Sequence, residues 1–87
     1  MVRQTSIKAY MELRKEGKLG ARQMEVLKAF VEHGAATDLE MARKLHYGDA
    51  NRLRPRRNEL VAKGYLEEVG KRKCSVSKRL AYVWSVK

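Results

Sequence analysis

Gly64 separates two regimes of periodicity, and that switch limits the possible folds more than any other feature of the chain. After it, Tyr65-Leu66-Glu67-Glu68-Val69 and Leu80-Ala81-Tyr82-Val83-Trp84-Ser85-Val86 are rich in aromatic and β-branched residues and read as strands. The intervening Gly70 to Arg79 reads as the arms and tip of a hairpin. Before Gly64, apolar residues recur at helical spacing. The chain is therefore expected to be α+β, with its helices first and one two-stranded hairpin last.

The helical half carries its own punctuation. Ser6 caps an expected helix over about 6–16, with Ile7, Tyr10 and Met11 on one side and Gly17 as its stop. A second helix spans about 20–33. Gly20 at its N-cap and Gln23 three residues on form half of a capping box, with Leu19 and Met24 placed as a hydrophobic staple and Gly34 as the stop. Thr37-Asp38-Leu39-Glu40 is a full capping box: the threonine hydroxyl accepts the Glu40 amide while the Glu40 carboxylate reaches back to the Thr37 amide. It opens a helix over about 37–46 that ends in a turn at His46-Tyr47-Gly48. Pro55 would kink a helix running through from Ala50. The reading is a turn or lead-in over 49–52 and a helix over about 53–63, with Pro55 in the first turn, where its missing amide costs nothing. Wing strands are placed at about 65–73 and 79–86. With 87 residues and no repeat or linker, one domain over 1–87 is expected.

Hydrophobic residues make up 44% and charged residues 34%, a balance that supports a packed core under a solvated surface. The formal charge is +10, and residues 49–87 hold eleven of the bases against four acids. A basic excess concentrated in one region favours a polyanionic partner over even solubilising charge. Cys74 is the only cysteine, which leaves no intrachain disulfide. With His33 and His46 the only histidines, no zinc-finger spacing occurs either. The first residues have no apolar signal core and no run reaches membrane-spanning length, so a cytoplasmic protein without metal or cofactor is expected. No Ser/His/Asp set, paired-carboxylate motif or Gly-rich phosphate loop appears, and an enzyme is not expected.

The order of helices, capped helix, short turn, Arg-rich helix, glycine and basic hairpin resembles the winged helix-turn-helix DNA-binding domains. The most specific stretch is Thr37-Asp38-Leu39-Glu40-Met41-Ala42-Arg43-Lys44-Leu45 joined to Arg57-Asn58-Glu59-Leu60-Val61-Ala62-Lys63-Gly64-Tyr65-Leu66-Glu67. The tail from Gly70 to Trp84 is similar to the wing of small winged-helix proteins of phages and prophages. Two features depart from the family: Pro55 interrupts the recognition helix, and nothing before residue 37 resembles the long dimerisation helices of MarR-type regulators. The resemblance implies double-stranded DNA as partner, a role in transcription regulation or phage DNA handling, and a monomer or weak homodimer. Protein docking and RNA binding are the alternatives.

For such a domain the candidate DNA-binding residues are Asn51, Arg52, Arg54, Arg56, Arg57 and Asn58 on the recognition element, and Lys71, Arg72, Lys73, Lys78 and Arg79 on the wing. Arginine matches guanine O6 and N7, asparagine matches adenine N6 and N7, and any cation matches phosphate. At 100° per residue, Leu53, Arg57, Leu60 and Val61 share one arc, opposite Pro55, Asn58, Glu59 and Ala62. Arg57 therefore points inward, and it is equally read as an arginine that meets an acid such as Glu40 or Glu68. Glu59 lies on the outward arc, where it repels phosphate unless it holds a neighbouring arginine. His33 is read as a helix-end cap, His46 as structural, Cys74 as a plain half-buried thiol, and Tyr65, Tyr82 and Trp84 as strand aromatics packed on helices.

Overall fold

The computed structural model describes Gly17 and residues 19–87. The helix expected over 6–16 lies outside the described residues. Those described form α1 (Ala21–His33), α2 (Asp38–Lys44), a 3-10 turn (Ala50–Arg52), α3 (Arg54–Ala62), β1 (Leu66–Lys73) and β2 (Leu80–Val86). None of these helices is long and apolar enough to cross a membrane.

Each helix begins and ends where its side chains dictate. The Gly20 amide donates to Gln23 Oε1 at 3.0 Å, and Leu19 is buried beside the partly buried Met24, which completes the staple. At α2, the Glu40 amide donates to Thr37 Oγ1 at 3.3 Å and the Thr37 amide to Glu40 Oε1 at 3.1 Å. The residue that turns the chain out of α2 is His46, at φ +60°, rather than Gly48. Amides of His46 and Tyr47 return to the Arg43 and Ala42 carbonyls in a Schellman arrangement, which requires a left-handed residue at that position. α3 ends in the same way at Gly64, φ +86°, with the Tyr65 amide returning to the Leu60 carbonyl at 2.9 Å. Pro55 sits in the first turn of α3. The lead-in before it is an ordered 3-10 turn, because Asp49 Oδ1 accepts the Asn51 amide at 2.9 Å.

The core lies between the helices and the base of the hairpin. Val26, Leu27 and Phe30 of α1 meet Met41 and Ala42 of α2, Leu53 and Leu60 around α3, and Leu66 at the start of β1, all essentially without solvent contact. Burial of large side chains such as Phe30, Leu53 and Leu60 stabilises the fold by about 2 kcal/mol each. Strands β1 and β2 pair antiparallel from Leu66↔Val86 to Lys73↔Leu80, with a bulge at Val69. Ala36 bridges Trp84 through paired backbone hydrogen bonds of 3.0 and 2.9 Å, adding a one-residue third strand that moors the hairpin to the loop ahead of α2. These elements in this order make an α+β winged helix-turn-helix: α2 and α3 are the two helices of the motif and the β1–β2 hairpin is the wing.

Candidate nucleic-acid interface

One carboxylate fixes the outer half of the wing to α2. Glu40, held near the start of α2 by its own capping box, accepts Arg72 Nη1 and Nη2 at 2.7 and 2.6 Å and the Ser75 amide at 2.9 Å. The Arg72 guanidinium holds the Glu40 carboxyl well below the usual carboxylate range. Burial opposes that effect and is outweighed, with help from the Ser75 and Thr37 amides. The same pairing raises Arg72. Beside it, Cys74 is fully buried rather than half-buried, with Sγ 3.2 Å from Thr37 Oγ1. Burial opposes ionisation of this thiol, but hydrogen bonds with Ser77, Thr37 and Val76 prevail and bring it down to about 7. The wing turn closes around this point, with the Lys78 amide on the Cys74 carbonyl at 2.9 Å and Lys78 at φ +63°.

A second arginine is also committed to the fold. Arg57 Nε and Nη2 donate to Asp38 Oδ1 and Oδ2 at 2.9 and 2.7 Å, and its guanidinium carbon lies 4.1 Å from the centroid of the Trp84 ring. Its side chain is only 11% exposed, so Arg57 ties α3 to α2 and to the wing at once. The inward orientation agrees with the helical arc, but the acid it meets is Asp38, not Glu40 or Glu68. Asp38 was not singled out from the sequence, since nothing local connects it to a residue 19 positions away.

The remaining candidates divide between outward and tethered. Arg54 and Asn58 lie on the exposed stripe of α3, with Asn51 one turn earlier. Arg54 Nη1 donates to Asn51 Oδ1 at 3.1 Å, and Arg57 Nη1 donates to Asn58 Oδ1. Arg52 rests over the Tyr47 ring at 4.6 Å. Tyr47 in turn donates its hydroxyl to Glu25, and burial followed by that bond raises its pKa. Arg56 pairs with Glu59 at 3.4 Å, and Glu59 also accepts Gln23 Nε2 at 3.0 Å, so the acid on the outward arc does hold a neighbouring arginine. On the wing, Lys71 Nζ sits 4.6 Å over the Tyr82 ring. Lys73, Lys78 and Arg79 are exposed and make no ion pair among the described residues. Trp84 packs on the core as a strand aromatic should, whereas Tyr82 stays 47% and Leu80 71% exposed.

A groove of about 420 Å³ separates the starts of α2 and α3 on one side from the wing on the other. Arg54 and Arg57 line the helical wall, and Arg79, Leu80 and Tyr82 line the wing wall. The arrangement offers long cationic donors and an apolar strip along one side of the domain. Among the described residues no cluster of three or more His, Cys, Asp or Glu side chains is placed to hold a metal ion.

No protein-family model matches the chain, and no curated protein is similar to it in sequence. Its fold is similar to that of the reduced form of MarR from E. coli. The TM-score is 0.63 at 21% identity, with 97% of this chain and 58% of that chain covered. A cysteine-to-serine mutant of the same E. coli protein gives the same values. The chain thus spans a little over half the length of the structures it matches. The likeness defines the class of fold, a winged helix.

Proposed function

We propose that this chain binds double-stranded DNA, with α3 in the major groove and the basic wing on the phosphate backbone. It would act in the cytoplasm as a transcriptional regulator or as a phage DNA-associated protein, as a monomer or weak homodimer. The observation that carries this reading is the groove lined by Arg54 and Arg57 at the start of α3 and by Ser77, Arg79 and Tyr82 of the wing, whose tip from Lys71 to Arg79 holds no acid. Sequence-independent affinity comes from Lys73, Lys78 and Arg79, whose charges are not spent within the described fold. Arg54 and Asn58 make the base contacts, with Arg56 and Lys71 at the flanks. Arg57 and Arg72 support that surface from behind, and Asn51 and Arg52 order its leading edge. The exposed apolar side chains of Val69, Leu80 and Tyr82 on the wing favour protein docking as the second reading.

Titration with a random-sequence duplex at two salt concentrations separates the two. Duplex binding whose logarithm falls linearly with the logarithm of salt, by about 0.9 per phosphate contact, supports the DNA reading. Absence of any salt-sensitive binding at low salt overturns it.

A further inference from the structure

We infer that the α3 face reads hydrogen-bond acceptors on the major-groove edges of base pairs, and so selects guanine at the positions it touches. This rests on the duplex reading above and specifies which bases that site takes. The argument is an inventory of which polar atoms the face has left to offer. Arginine carries only donors, so the Asn58 atom that meets Arg57 Nη1 is the carbonyl oxygen Oδ1, and the group left to face solvent is the Nδ2 amide. By the same logic Asn51 gives its oxygen to Arg54, while Asn51 Nδ2 donates to Asp49 Oδ2 at 3.4 Å.

Most carboxylate oxygens of the face are occupied too. Both Asp38 oxygens accept from Arg57, and Arg54 Nε stands 3.8 Å from Oδ2. Asp49 accepts twice from Asn51, and Glu59 accepts from Gln23 and Arg56. What is left toward the start of α3 is therefore a pair of donors, the Nη2 group of Arg54 and the Nδ2 group of Asn58, while Glu59 Oε2 is the acceptor left beside them.

Such a face suits guanine, which presents two adjacent acceptors, N7 and O6, and it suits the single O4 of thymine less well. Adenine N6 and cytosine N4 are donors, and opposite Arg54 or the Asn58 amide each would be desolvated without a partner. The usual asparagine pairing with adenine needs the oxygen turned outward beside the amide, whereas Asn58 Oδ1 is turned toward Arg57. Arg57 and Asp38 thus act as positioning residues: without touching DNA they set the polarity of Asn58.

The test is selection from a random duplex library with the full chain, followed by binding to the selected site and to the same site with 7-deazaguanine, which lacks the N7 acceptor. The expected result is guanine enriched on one strand at the contacted positions, and affinity about ten-fold weaker with 7-deazaguanine. Asn58→Asp keeps an acceptor for Arg57 and removes the outward donor. It is expected to lose the guanine preference at one position, read as the ratio of affinities for the selected site and its guanine-substituted variants, because the added negative charge lowers binding to every duplex alike. Adenine enrichment that depends on Asn58, a pool bound without base preference, or indifference to 7-deazaguanine would each overturn the inference and leave duplex binding standing. Failure to bind any duplex at low salt would overturn both.

Discussion

Charge alone does not say which side chains are available to a partner; at the scale of single residues, pairing does. Arg57 and Arg72 each form a two-point bond with a mostly buried carboxylate, whereas Lys73, Lys78 and Arg79 have no such partner among the described residues. Arg72→Ala is accordingly expected to lower stability by roughly 2 kcal/mol, a figure reduced for the partial exposure of Arg72. Lys73→Ala should leave stability unchanged and lower the salt slope of DNA binding by about 1. Equilibrium unfolding and salt titration of the two variants check this, and the reverse assignment contradicts it. Glu40 gives a pH dependence of known sign. Its folded pKa lies below its ordinary 4.5, so its contribution is complete above pH 4.5 and is lost as pH falls toward the depressed value. Denaturant midpoints measured from pH 7 down to pH 3 should fall for the native chain and fall less steeply for Glu40→Gln. The capping role of Glu40 was legible, because Thr37 and Glu40 are three residues apart. Its hold on Arg72 was not, because the partner lies 32 residues away on a hairpin whose register no local signal fixes.

At the scale of elements, the helix ends and the change of period at Gly64 were readable because each depends on chemistry within one turn. The capping box, the proline in the first turn of α3 and the left-handed Gly64 are all of this kind. Gly64→Ala, which forces a β-carbon onto φ +86°, is expected to cost about 1 kcal/mol in denaturant unfolding even though no atom crowds the site. An unchanged midpoint would mean that the turn can relax. The exit from α2 lies in the expected His46-Tyr47-Gly48 turn, but which of the three residues makes it was not legible. His46 rather than Gly48 takes the left-handed conformation, since helix geometry requires it at the residue after Leu45 and leaves Gly48 free of it. The bulge at Val69 and the Ala36–Trp84 bridge were likewise invisible in the sequence, because both depend on which strands meet. The bridge, Glu40 and Arg57 are three moorings of one hairpin, and together they set how the wing stands relative to α3.

At the scale of the whole molecule, the central claim is that α3 and the wing form one DNA-binding side. The opposite flank of the wing is also basic, with Arg43, Lys44 and Arg72 around a second groove, so net charge alone does not choose between the two. The choice rests on commitment: Arg72 is held by Glu40, and of these two grooves it is the first that residues of both α3 and the wing line, Arg54 and Arg79 among them. The most direct test is backbone amide NMR of the full chain during titration with a short duplex at low salt. Shift changes concentrated at residues 51–58 and 71–80 are the predicted result. Changes centred on Arg43 and Lys44, or on the exposed side of α1 at Lys28 and Glu32, would contradict it.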